Sequence, residues 1–202
     1  MELLISLAIK FWQFTVLAIL IIIGFAINLI DKKLHKNVLH KREFDFSYDE
    51  LPHMQPIRIG TADKGFWGAI WLWIMTVRNW TIKKDFYYTI NGEKYVIPAG
   101  FTFDGASVPK FLASFLSPVG VLLIGGLVHD YGYKYKTLLK ADKKSTCGDK
   151  DQKWMDETFR DINIKVNGFG FLNYLAYWAL RIGGFVAWNG HRKRNAKIEG
   201  LK

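Results

Sequence analysis

His129 and Asp130 stand side by side in the run Val128-His129-Asp130-Tyr131-Gly132-Tyr133, delivered by an apolar stretch from Val119 to Val128. A base beside a carboxylate suits proton transfer at a metal site. On a helix, adjacent residues point roughly 100° apart, so His129 would face a substrate water while Asp130 faces a metal. Tyr133, at i+3 from Asp130, would brace the carboxylate. The plainer alternative is a helix-end histidine and a capping aspartate, the commoner role of isolated polar residues on structural elements.

Two further segments carry groups able to converge on this dyad: Phe103-Asp104-Gly105-Ala106-Ser107 and Asp156-Glu157-Thr158-Phe159. If two antiparallel helices face each other, Asp156 accepts a hydrogen bond from one ring nitrogen of His129. That bond fixes the tautomer and leaves the other nitrogen to take a proton from water. Asp149 and Asp151 are alternative orienting carboxylates. Asp104 and Asp130 then remain as oxygen ligands for a hard cation. Calcium fits best, because it takes several oxygens, backbone carbonyls included, and Gly105 lets the loop turn its carbonyls inward. Zinc is disfavoured by a single histidine and a distant Cys147.

The elements that must position these groups are legible. Val121–Tyr135 is expected as a helix bearing the dyad, Lys140–Lys150 as a charged loop, Asp151–Ile162 as a second helix, and Phe169–Trp188 as a third. Before them, Asp85–Ile90, Asn91-Gly92 and Glu93–Pro98 predict a β-hairpin, since Asn-Gly supplies the positive φ angles of a type I′ turn. Phe101–Ser117, with Gly, Ser and Pro109, and Pro118 just beyond, reads as an ordered loop. The fold class expected is α+β: a small antiparallel sheet followed by a three-helix core in a domain spanning 57–190, with a basic tail at 191–202.

Composition bounds the partners. The chain has 202 residues, 50% hydrophobic and 16% aromatic, which is ample for a core. A formal charge of +10 favours an anionic partner, nucleic acid or lipid headgroups. The single cysteine, Cys147, excludes an intramolecular disulfide and a CxxC metal site. From Trp12 through Ile30 there is no charge, and with Leu3–Ile9 the apolar region within residues 1–30 is long enough to cross a bilayer as a helix. A transmembrane anchor is therefore expected, a cleaved signal peptide being the competing reading. Lys32, Lys33, Lys36, Lys41 and Arg42 follow the span, so the positive-inside rule places the N-terminus outside and the main domain in the cytoplasm. There, scarce free calcium would leave the site empty unless the domain is exposed by lysis, delivery in a virion or inverted topology. Residues 31–56 read as a basic linker with one short strand near Glu43–Ser47. Trp67, Trp71 and Trp73 suit a membrane interface, where ring and N–H each find a partner, and equally suit a buried core element. Nucleic-acid recognition rests on net charge alone, which a phospholipid membrane already explains.

The run His129–Lys136 (HDYGYKYK) resembles the catalytic-helix signature of secreted phospholipases A2, above all the small bacterial and fungal branch. Asp104-Gly105-Ala106-Ser107 is similar to that branch's Asp-Gly-Cys-Ser calcium loop, and Asp156-x-x-Phe159 to its later helix. The resemblance implies His129 as general base oriented by Asp156, and a calcium site from Asp104 and its neighbouring carbonyls with Asp130. Ala106 replaces the cysteine, and the disulfides are absent. A second pattern is Ile97-Pro98-Ala99-Gly100-Phe101 through Pro109, then His129-Asp130-x-x-Tyr133, Asp156-x-x-Phe159 and Tyr177-x-Ala179-x-Arg181-x-Gly183. It resembles a domain family of unknown function found widely in bacteriophage genomes. Together they imply a membrane-anchored, calcium-dependent lipid esterase. The alternative is a non-catalytic phage membrane or virion accessory protein that keeps the fold and interacts with phage structural proteins.

Overall fold

A computed structural model describes residues 12–41, 44–58, 60, 63–75, 79–103, 120–198 and 200–201. In chain order the elements are α1 (Trp12–Lys41), β1 (Phe46–Tyr48), β2 (Met54–Pro56), α2 (Gly65–Met75), β3 (Trp80–Ile82), β4 (Phe86–Ile90), β5 (Glu93–Ile97), β6 (Thr102–Phe103), α3 (Leu123–Tyr135), α4 (Gln152–Asn167) and α5 (Gly170–Arg194). The chain is α+β, with two small antiparallel sheets where one was expected: β1-β4-β5 and β2-β3-β6.

The hairpin forms as its turn chemistry dictates. Asn91 and Gly92 sit at φ 49° and 80°, and β4 and β5 pair from Phe86 with Ile97 to Ile90 with Glu93. Alternation buries Phe86, Tyr88 and Ile90 on one face of β4 and leaves Tyr87 outward. Stretch 31–56, read as a basic linker with one short strand near Glu43–Ser47, supplies the end of α1, the strand β1, which overlaps that expected strand, and the strand β2. Phe46 is buried and pairs with Ile90, so β1 is held by packing as well as by its ladder. After α3, Lys136 adopts the left-handed conformation (φ 62°) and its N–H bonds the Gly132 carbonyl. The chain then turns back along β5, where Val96 N–H donates to Leu139 and Ala141 N–H to Lys94.

The core lies between the hairpin sheet and the helices. Phe101 meets Tyr131 and Tyr135 at ring separations of 5.0 and 6.3 Å, joining the β6 approach to α3. Leu127, Val128, Ile162 and Met155 fill the helical side. Helices α3 and α4 approach closely at Gly125 and Gly132. A Cβ at these positions would lie 2.3 Å from Asn163 Nδ2 and 2.2 Å from Met155 Sδ. The residue before α3, Leu122, offers no capping side chain, so the helix takes its cap from its neighbour: wholly buried Asn163 accepts from the Gly125 N–H at 3.1 Å. Asp151 caps α4 locally by accepting from Trp154 N–H, and Gly168 ends it at φ 70°.

The expected membrane anchor is not supported. Among the described residues no helix is long and apolar enough to cross a membrane. Helix α1 does contain the apolar run Trp12–Ile30. It includes Asn28, and the helix continues into Asp31, Lys32 and Lys33. Asp31 is turned inward, accepting from the Phe171 N–H at 2.7 Å, which ties α1 to the start of α5. The single-pass topology, with its outside N-terminus and cytoplasmic domain, falls with the anchor.

Replacing Asn163 by Ala leaves the Gly125 donor buried without its acceptor. The chain is expected to lose about 1–3 kcal/mol of stability, read as a lower urea midpoint at unchanged slope.

Candidate active site

The dyad sits on α3, and α4 and α5 pack against that helix. His129 is 5% exposed and Asp156, on α4, is wholly buried. The His129 Nε2–H donates to Asp156 Oδ1 at 2.9 Å. The Tyr133 hydroxyl donates to the same oxygen at 2.5 Å, and Arg181 Nη1 on α5 donates to Oδ2 at 2.7 Å. Tyr133 therefore braces Asp156, across the helix pair, instead of Asp130. The reason is spacing: Tyr133 is i+4 from His129, so both side chains share the face that meets α4, and their rings lie 3.9 Å apart.

The second ring nitrogen faces the other way. His129 Nδ1 is 3.7 Å from Asp130 Oδ1, whose side chain is partly exposed. Phe159 closes the ring's flank edge-on at 5.4 Å. Burial opposes a charged His129, but the Asp130 and Asp156 carboxylates outweigh it and hold the imidazole above its ordinary pKa. Burial likewise opposes ionisation of Asp156. Its hydrogen bonds from His129, Tyr133 and Arg181 prevail, and its carboxyl is held below the usual range. Burial and the bond to Asp156 push the Tyr133 hydroxyl up, so it stays a donor. The arrangement is an oriented imidazole: one nitrogen tied to an anion, the other directed toward a second carboxylate.

Helix α5 supplies more than the third partner. Arg181, Gly184, Trp188 and Arg192 recur at helical spacing along its inner face. A Cβ at Gly184 would lie 2.6 Å from the Tyr133 hydroxyl, so glycine leaves the room in which that hydroxyl reaches Asp156. Trp188 meets the Tyr133 ring edge-on at 5.1 Å, and Arg192 stacks over Trp188 while donating to the Tyr133 and Lys134 carbonyls at the end of α3. Sequence reading places Arg181 in a pattern without a partner and misses Gly184, Trp188 and Arg192 as supports. Their common helical face is the signal that identifies them.

The structure thus brings His129, Asp130, Tyr133 and Asp156 together and adds Arg181. Asp104 and Gly105 lie outside the described residues; β6 ends at Phe103, immediately before them, and packs on α3. Among the described residues no cluster of three His, Cys, Asp or Glu is arranged to hold a metal ion. Of the expected donors, only the Asp130 carboxylate is described, and it suits a hard cation by oxygen type alone. Asp149 pairs with Lys136 at 2.8 Å and Asp151 caps α4, so neither alternative orienting carboxylate is spent on His129. Trp67 and Trp71 lie on α2, 78% and 64% exposed, away from the packed core; the Trp73 side chain lies outside the described residues.

The family described as "Protein of unknown function (DUF1353)" matches residues 80–180, half of the chain. The chain belongs to this family. The DUF1353 match takes in β3 to β6, the whole of α3 and α4, and α5 as far as Leu180, so it contains the dyad and Asp156 and stops just short of Arg181. No curated protein and no solved structure matches the chain.

The network makes stability depend on pH in two directions. Asp156, with its pKa lowered from 3.8, contributes fully above that value and loses its contribution as pH falls through the lower folded value. His129, raised from 6.5, contributes fully below that value and loses it as pH rises through the higher folded one. The urea midpoint of the DUF1353 protein is expected to peak between about pH 4 and 6.5, and Asp156→Ala, which strands three donors, to cost roughly 3–5 kcal/mol there.

Proposed function

We propose that the DUF1353 domain is a hydrolase of lipid esters working in the manner of a phospholipase A2, with His129 as general base. The observation that carries this reading is the divided imidazole. Its Nε2–H is fixed on Asp156, itself held by Tyr133 and Arg181, and Nδ1 is left toward Asp130 as the proton acceptor. In the reaction, His129 Nδ1 takes a proton from water as the water oxygen attacks the ester carbonyl carbon. The carbonyl π electrons move onto its oxygen. When the tetrahedral adduct collapses, the bond to the alcohol oxygen breaks and the imidazolium returns its proton to that oxygen, giving a carboxylic acid and an alcohol. Asp156 stays ionised throughout and steadies the imidazolium.

A calcium ion would be held by Asp130, together with Asp104 and the carbonyls beside Gly105, and its chemistry there is to polarise the ester carbonyl. Asp130 is one of the two carboxylates that favour the charged imidazole, and engaging it elsewhere returns His129 toward the neutral form a base requires. A phospholipid substrate suits the chain's charge of +10, and the resemblance to phage-encoded domains suggests bacterial envelope lipids as the setting.

A second reading has its own observation. His129 is almost wholly buried and Asp156 has no spare lone pair facing solvent, as in a network that only fastens helices. In that case the domain is a non-catalytic accessory of phage origin that binds a structural protein.

Fatty-acid release from mixed phospholipid–detergent micelles separates the two. Release that needs calcium, stops with a chelator, falls by about 10²–10⁴-fold in His129→Gln and is unchanged in Lys94→Ala is the expected result. A wild-type chain that releases nothing under any metal condition rules out the esterase and leaves the accessory role.

A further inference from the structure

Helix α5 is two-faced, and the His129–Asp156 network uses one face only. The other face carries Leu175, Trp178, Ile182, Phe185 and Val186, from 50% to 76% exposed. Ala179, Gly183 and Ala187 lie exposed among them, and from Leu175 to Gly190 the only charged residue is Arg181, which turns inward to Asp156. Such a stripe is not a consequence of folding, because folding buried none of it. Single exposed apolar residues are ordinary, but a contiguous row of large ones marks a surface meant to be covered.

The charge on the same helix says what covers it. Leu175 and Lys193 are separated by roughly five full turns of helix, so they lie in line, with Ile182 and Val186 close to that line. The apolar row therefore runs directly into Lys193, with Arg194 in the same turn and Lys197 just beyond, all exposed. His191, Arg192, Lys193 and Arg194 fill the last turn of α5 and no acidic residue occupies that turn. Apolar side chains for an acyl boundary, a tryptophan for the headgroup level and a terminal basic cluster form the pattern of a helix lying in the plane of a membrane surface. A partner helix from another protein would match the row but leave the cations unexplained.

We infer that the outer face of α5 docks on an anionic lipid surface, with Trp178, Ile182 and Val186 entering the interface and Lys193, Arg194 and Lys197 meeting lipid phosphate. The helix lies along the surface and does not cross it. Docking is independent of turnover, since neither the apolar row nor the three cations belong to the His129–Asp156 network.

Vesicle co-sedimentation of the full chain tests this, using phosphatidylcholine vesicles with and without phosphatidylglycerol. The wild type is expected to bind the anionic vesicles and to weaken as salt rises. Ile182→Glu is expected to lower partitioning at least about tenfold, through lost apolar burial. Lys193→Gln with Arg194→Gln is expected to lower it about thirtyfold on anionic vesicles and little on neutral ones. His129→Gln is expected to bind as the wild type does, so a dead enzyme that still binds separates the two proposals. Circular dichroism and the urea midpoint establish that each variant is folded. Unchanged binding in folded Ile182→Glu, or equal binding to both vesicle types, overturns the inference. A dimer in solution that Ile182→Glu dissolves, without vesicle binding, also overturns it and assigns the face to a second copy of the chain.

Discussion

A single ionised carboxylate, wholly withdrawn from water, decides how the helical half of the molecule is put together. Asp156 would be ruinous in that position alone, because an unpaired buried charge costs several kcal/mol. It is tolerated because three donors converge on its two oxygens: imidazole, phenol and guanidinium, from two other helices. Once that carboxylate is placed on α4, the rest is constrained. His129 and Tyr133 must share a face of α3, and α5 must lie close enough to deliver Arg181. The arrangement fixes how the three helices meet, because each donor must reach the same carboxylate.

Close approach is the geometric counterpart of that constraint. Gly125, Gly132 and Gly184 all sit at points where a methyl group would collide with a polar or polarizable side chain of a neighbouring helix. Two of the three collisions are with side chains already engaged in hydrogen bonds, for Asn163 accepts from the Gly125 N–H itself and the Tyr133 hydroxyl holds Asp156. Glycine weakens each helix by up to about 1 kcal/mol relative to alanine. Packing and hydrogen bonds across the interface offset that loss. The same α5 that supports Tyr133 from inside presents uncovered apolar side chains outside, so one element joins the site to the molecular surface.

Much of the fold is legible in the sequence because local signals are strong. Asn91-Gly92 between β-rich segments leaves little choice but a hairpin, and Asp151 marks the start of α4, although the helix runs on past the expected end at Ile162 to its cap at Gly168. Two consecutive helices joined by one charged connection are expected to face each other, which is why Asp156 is expected opposite His129. The partner of Tyr133 is misread because sequence proximity favours Asp130, whereas helix geometry aligns Tyr133 with His129. Arg181 is visible but mute: its partner lies on another helix, and nothing local announces a contact across 25 residues. The strand expected near Glu43–Ser47 is legible from its alternation and overlaps β1 at Phe46, whereas the three residues of β2 carry almost no periodicity until the neighbouring β3 is known. The apolar run of α1 suggests a membrane span by hydrophobicity alone, and nothing in its sequence announces that Asp31 bonds to α5.

The left-handed turn at Lys136 has an effect beyond ending a helix. By sending the chain back along β5, it places Leu139 and Ala141 against backbone groups of Val96 and Lys94 that would otherwise stand open at the rim of the hairpin sheet. An open rim of that kind is a template on which strands of other molecules add, and it is the usual starting point of cross-β aggregation. Here the protein occupies the template with its own chain, so crowding many copies together leaves that side of the sheet with nothing to recruit.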